Sequence, residues 1–299
     1  MIRLKKTVYR CVLIVLLVIF LGCMQVHADD LRLEDIAQKS ENTFTCSFDG
    51  VKHSFILDLP ENSEGAPLVV MLHGYGNTAE AFRTAVHFEE EANALGYAVV
   101  YVTGAPDPNA SSSATGWHSD PGIAGNRDSE FLVSLAKYLQ EEYALDSRHA
   151  YAVGFSNGAF MTHTLAMEAD GTFTAFVSVA GLMQESVWEA RRESNSVSFF
   201  QITGEKDDVV PKNSNGSARH AAAPAIEDVM EYWAEANGLD LQETSMIGKS
   251  SVLTKYGCNE KQQQVWHLFV KGGRHSWPSE QYNGIDTNAL ILEFFEAQK

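Results

Sequence analysis

The segment Gly154-Phe155-Ser156-Asn157-Gly158 stands between the apolar run 150–153 and a stretch, 158–169, with the composition of a helix. This is the form of a strand that turns abruptly into a helix. Glycines on both sides leave room for the strained turn and for close packing, and the central serine hydroxyl is pushed clear of the backbone. That serine also meets a helix N-terminus, whose free N–H groups favour developing negative charge. A G-x-S-x-G turn therefore demands an architecture in which a strand feeds a helix at its own C-terminal end. The pattern is short, so the rest of the chain must agree with it.

It does. Thr43–Phe48 and 53–59 alternate polar with apolar residues on either side of Asp49-Gly50, which signals an antiparallel hairpin. The character then changes to short unbroken apolar runs at Leu68–Leu72, 98–102, 150–153, Ala175–Val179, 197–202 and 265–270, such as strands buried on both faces show. Helical stretches at 79–95, 128–143, 158–169, 225–237 and 287–297 separate them. This order predicts a mostly parallel central sheet covered by helices on both faces, the layout of an α/β-hydrolase. No internal repeat and no Pro- or Ser-rich linker divides it, so residues 29–299 read as one catalytic domain. The polar segments 103–125 and 211–223 read as candidate active-site loops or, alternatively, as disordered insertions.

The first 28 residues read differently. Arg3, Lys5, Lys6 and Arg10 precede the apolar stretch 12–21, and Val26-His27-Ala28 offers small residues for cleavage, so the leader reads as a secretory signal peptide. Its apolar core is shorter than the roughly 20 residues of a membrane span. Leu21-Gly22-Cys23 leaves open a lipoprotein signal with an anchor at Cys23. Cleavage at 28 leaves 18 basic against 39 acidic side chains, a formal charge of −21, which argues against nucleic acid and anionic membrane as partners. Cys46 and Cys258 remain; they show no metal-binding spacing and are expected near opposite ends of the sheet, unpaired.

A serine at such a turn is inert without a base. The chain order serine, acid, histidine picks out Asp207, in the turn after the run 199–202, and His275, after the run 268–270. Gly272-Gly273 frees the chain just before His275, whereas most other histidines fall in or beside regular elements. Glu205 and Asp208 crowd the same turn as Asp207, with Asp208 the alternative acid and both otherwise solvated charges. The backbone N–H groups of Asn157 and of Tyr75, in His73-Gly74-Tyr75-Gly76, are candidates for an oxyanion hole. Trp117 and Trp277 are candidate substrate-stacking rings or, equally, anchors of a small local core, and Asp128 reads as a helix cap.

Leu72-His73-Gly74, Gly154-Phe155-Ser156-Asn157-Gly158-Ala159, the block from Gly204 to Pro211 and Gly272-Gly273-Arg274-His275-Ser276-Trp277-Pro278 together resemble a secreted α/β-hydrolase family of polyhydroxybutyrate depolymerases, feruloyl esterases and acetylxylan esterases. The likeness runs from about residue 50 to the C-terminus. It implies a serine esterase with Asp207 as acid, His275 as base and no metal or organic cofactor, acting through an acyl-enzyme on feruloyl or acetyl esters of plant polysaccharide. Polyhydroxyalkanoate is the alternative substrate, and a serine peptidase of similar fold a more distant one. The chain departs from its relatives in having Tyr75 and Gly116 where many polyester depolymerases carry cysteines, Arg274 where glycine is common, and Ser279 after Pro278. Oligomeric state is not legible in the sequence.

Overall fold

Asp49 and Gly50 both take left-handed backbone, at φ 49° and 75°, the pair of conformations that one common two-residue hairpin turn requires. The turn joins Thr43–Phe48 to Val51–Asp58, with Phe48 opposite Val51 in the ladder. The computed structural model describes residues 33–108, 110, 114–120, 127–168, 171–192, 196–210 and 224–299. Leu33–Lys299 forms one compact unit. The leader with Cys23, the segment 211–223 and parts of 103–125 lie outside the described residues.

In chain order the strands are β1 (Glu34–Gln38), β2 (Thr43–Phe48), β3 (Val51–Asp58), β4 (Leu68–Leu72), β5 (Ala98–Thr103), β6 (Ala105–Pro106), β7 (Thr115–Gly116), β8 (Ala150–Phe155), β9 (Ala175–Val179), β10 (Ser198–Gly204), β11 (Glu243–Ile247), β12 (Ser251–Cys258) and β13 (Gln264–Val270). Apart from the small β6–β7 ribbon they form one 11-stranded sheet, ordered β1-β2-β3-β5-β4-β8-β9-β10-β13-β12-β11. Its centre, from β5 to β13, is parallel. Antiparallel strands flank it, β1 to β3 on one side and β12 with β11 on the other.

The parallel centre accounts for the unbroken apolar runs. Leu68, Val70 and Leu72 enter the core on one face of the sheet, while Val69 and Met71 enter the core on the other, so β4 has no solvent side. Burying each such aliphatic side chain contributes about 1.5–3 kcal/mol. Helices Asp128–Glu142, Asn157–Glu168 and Ile226–Ala236 cover the first face, and Ala79–Val86, Phe88–Ala94 and Thr287–Glu296 the second.

Two expectations need correction. The stretch 79–95 is two helices, because His87 takes left-handed backbone at φ 48° and closes the first helix by donating its N–H to the Arg83 carbonyl. The sheet also extends through β12 and β11 beyond the last predicted strand. Cys46 and Cys258 are both free, in the second strand from either edge, too far apart in the sheet order to pair.

Candidate active site

At the end of β8, Ser156 holds left-handed backbone at φ 53°, a conformation that costs an L-residue about 1–2 kcal/mol. The glycines make it possible. A Cβ on Gly154 would lie 2.1 Å from the Gly158 carbonyl oxygen, and one on Gly158 would lie 2.2 Å from that of Leu72. Ser156 is pinned by its N–H to the Val179 carbonyl at 2.9 Å, and its own carbonyl accepts from Ala159 and Phe160 at 2.9 and 3.1 Å.

Because β4, β8, β10 and β13 are parallel, the segments that follow them emerge at one edge of the sheet. Three strand spacings, about 14 Å, separate β8 from β13, and the five residues 271–275 suffice to bridge them. His275 Nδ1 donates to Asp207 Oδ2 at 2.8 Å, and His275 Nε2 accepts from Ser156 Oγ at 2.9 Å. Phe155 packs against the imidazole, ring centroids 5.2 Å apart. The other Asp207 oxygen accepts from the N–H groups of Val209 and Val210 at 2.9 and 2.8 Å, so the carboxylate is fully employed. Asp208 is exposed and points to neither partner.

The acid and histidine loops are stitched to each other. Lys206 N–H donates to the Gly273 carbonyl at 2.7 Å, and Glu205 accepts from the Gly272 N–H at 2.9 Å and from Lys271. Those hydrogen bonds, Lys271 first and Gly272 next, hold the Glu205 carboxyl below its ordinary pKa. Glu205 is thus a clasp between loops, a role its charge alone did not disclose.

After β4, Asn77 N–H donates to the Gly74 carbonyl at 3.2 Å and Gly76 takes φ 76°, the signature of a type II turn with Tyr75 at its first corner. The main-chain N–H of that corner lies outside the turn's own hydrogen bond and stays available. His73 is buried, and its Nε2 accepts from Gly104 N–H at 3.0 Å, which leaves Nδ1–H to donate to the Gly74 carbonyl at 2.7 Å. Burial lowers the His73 pKa, favouring this neutral form. A Cβ on Gly74 would sit 3.3 Å from Ser156 Cβ, so the turn presses directly on the serine.

For the two tryptophans the contacts favour the anchor over the stacking reading, and Asp128 is not the cap expected. Trp117 is only 4% exposed and its indole N–H is committed to the His73 carbonyl at 3.0 Å; it props the turn from beneath and has no face for a substrate. Trp277 is half-buried, edge-on to Phe82, with its N–H on Asn288 Oδ1 at 3.1 Å, and so anchors the histidine loop to the helices behind it. Asp128 is the first helical residue, not the cap, and its Oδ2 accepts from His118 N–H at 2.7 Å. Tyr75 and Gly116, both departures from the resembled family, are neighbours: a Cβ on Gly116 would come 3.0 Å from the tyrosine ring. Among the described residues one trio, His87, Glu89 and Glu90, brings metal-ligating atoms together, but Glu89 is already engaged by Arg83 at 3.1 Å and Tyr101 at 2.7 Å.

Strand order, elbow and covering helices define an α/β-hydrolase, and the comparisons with known proteins narrow the class. Residues 53–210 match the family described as Esterase PHB depolymerase. The chain belongs to that family, and is a carboxylic-ester hydrolase by class. The protein named "Putative esterase NocK" of Nocardia uniformis subsp. tsuyamanensis is 28% identical over 238 residues, 73% of this chain and 67% of that one. Feruloyl esterase B of Talaromyces stipitatus is 29% identical over 128 residues, 42% of this chain and 34% of its own length. The matched region thus spans about two thirds of the first relative and one third of the second. Among solved structures, the acetyl xylan esterase from Aspergillus awamori superposes with a TM-score of 0.60 at 16% identity, covering 82% of this chain and 94% of that one, a likeness of fold.

Proposed function

We propose that the chain is a secreted serine esterase in which Ser156 is the nucleophile, His275 the general base and acid, and Asp207 the carboxylate that orients and stabilises the imidazolium. One observation carries this reading above the rest: an unbroken hydrogen-bonded chain from Asp207 Oδ2 through both ring nitrogens of His275 to Ser156 Oγ, at 2.8 and 2.9 Å. His275 Nε2 takes the hydroxyl proton as Ser156 Oγ bonds to the ester carbonyl carbon. The carbonyl oxygen becomes an oxyanion facing the N–H groups of Asn157 and Tyr75, where the loss of one donor costs about 3 kcal/mol of barrier. Collapse breaks the ester C–O bond, and the imidazolium hands its proton to the departing alcohol. Water then repeats the sequence on the acyl-enzyme and releases the acid.

The substrates this reading favours are feruloyl or acetyl esters of plant polysaccharide, supported by relatives named feruloyl esterase and acetylxylan esterase. Rates on methyl ferulate, acetylated xylan and a hydroxybutyrate oligomer separate these from polyester cleavage. Export is supported by the leader sequence, and the intact mass of the exported protein distinguishes cleavage at Ala28 from a lipidated Cys23. Ser156→Ala should abolish hydrolysis of p-nitrophenyl acetate and labelling by a fluorophosphonate while leaving the melting temperature intact. Retained turnover disproves the assignment.

A further inference from the structure

Tyr75 lends its main chain to the proposed oxyanion hole, yet its side chain is 53% exposed, among the few large rings so placed. The ring is not loose. Its hydroxyl donates to Asp107 Oδ2 at 2.8 Å, and one edge lies against Gly116, where a Cβ would come 3.0 Å from it. Gly116 ends β7, and Asp107 directly follows β6 with its N–H on the Ala114 carbonyl at 2.8 Å; the ribbon is itself joined to the turn by Gly76 N–H donating to the Thr115 carbonyl at 2.7 Å. The same Cβ would lie 3.1 Å from Asn157 Oδ1, so Gly116 faces both the ring and the residue next to the serine. Hydrogen bonding to Asp107 raises the phenol pKa above its ordinary value.

The sheet order tells which half of an ester meets this ring. His275 arrives from β13 and must deliver a proton to the departing alcohol, so the alcohol lies on the β13 side of Ser156. Tyr75 arrives from β4, on the opposite side of β8, so its ring stands away from the departing alcohol and beside the ester carbonyl, the half of the ester to which the acyl group belongs. A ring fixed at both ends presents apolar area at little entropy cost. With its hydroxyl proton donated to Asp107, what remains for a ligand is its face.

We propose that Tyr75 determines acyl specificity: its ring, held by Asp107 over Gly116, is the wall on which a planar conjugated acyl group of the cinnamoyl type lies. This rests on the serine-esterase reading. The test compares kcat/KM on methyl cinnamate, methyl acetate and phenyl acetate for the wild type, Tyr75→Leu and Tyr75→Phe. Tyr75→Leu should lower the cinnamate-to-acetate ratio at least about tenfold, the lower end of what one apolar contact discriminates. Tyr75→Phe, which keeps the ring and frees it, should lower the ratio by less. Equal losses on all three esters would mean that the ring only props the turn, and overturn the proposal. So would a loss that follows the phenyl alcohol instead of the acyl group. Failure of the wild type to cleave any of these esters would refute the esterase reading and take this proposal with it.

Discussion

The side-chain amide of Asn157 pairs with the main chain of Trp117 as a neighbouring strand would, Oδ1 accepting from its N–H at 2.7 Å and Nδ2 donating to its carbonyl at 3.0 Å. Trp117 in turn donates to the His73 carbonyl. The relay from Asn157 through Trp117 to His73 sets the height of the Tyr75 turn above Ser156. Asn157→Asp would face a carboxylate oxygen against the Trp117 carbonyl, at a cost of about 1–3 kcal/mol in denaturant unfolding. The main-chain N–H of residue 157 survives this change. A fall in kcat on p-nitrophenyl acetate larger than any rise in KM would therefore report displacement of the turn at the proposed oxyanion hole.

Gly154→Ala tests the elbow itself. Its methyl group would lie 2.1 Å from the Gly158 carbonyl oxygen, with backbone on both sides and no flexible side chain to yield. The expected loss is at least about 3 kcal/mol, at the upper end of overpacking effects. Thermal melting and soluble yield check it, and a melt within a degree of wild type contradicts the geometry.

The free cysteines should differ sharply in reactivity. Burial pushes the Cys46 thiol up to about 12, while Cys258 is exposed. Iodoacetamide at mildly alkaline pH should modify Cys258 in the folded protein and Cys46 only after denaturation, as read by peptide mass mapping.

Asp146 should contribute acid-sensitive stability. Partial burial raises its carboxyl pKa, but hydrogen bonds from Arg148 and His149 outweigh that and hold it well below the ordinary value. A carboxyl depressed in the folded state stabilises above its unfolded pKa, about 4, and the benefit disappears as pH falls through the folded value. Asp146→Asn should therefore be less stable than wild type at pH 7 by about 1–2 kcal/mol, with the gap narrowing at pH 3. A gap independent of pH would remove the carboxylate from the explanation.

The central strands were legible because burial on both faces leaves no room for polar residues, as in Leu68–Leu72. The margins were not. Glu243–Ile247 is an edge strand with four of its five residues exposed, so nothing in its composition marks it as part of a sheet. The break at His87 was hidden because a left-handed histidine carries no signature in the letters around it. At the site, serine, acid and histidine could be picked from chain order because each follows a strand, and the structure brings Ser156, Asp207 and His275 within hydrogen-bonding distance. Trp117 stayed ambiguous because an aromatic residue in a loop reads the same whether it faces solvent or plugs the core. The duties of Asn157 and Glu205 depend on partners 40 and 67 residues away, and no local pattern encodes them.

The clasp between Glu205 and Gly272, together with that between Lys206 and Gly273, has a mechanical corollary. Imidazole and carboxylate ride on one fused rim, whereas the hydroxyl rides on the elbow. Any breathing of the pocket would leave the Asp207–His275 dyad intact and stretch a single separation, that between Nε2 and Oγ. On the proposed mechanism the molecule would idle by slackening one gap, with His275 already aimed.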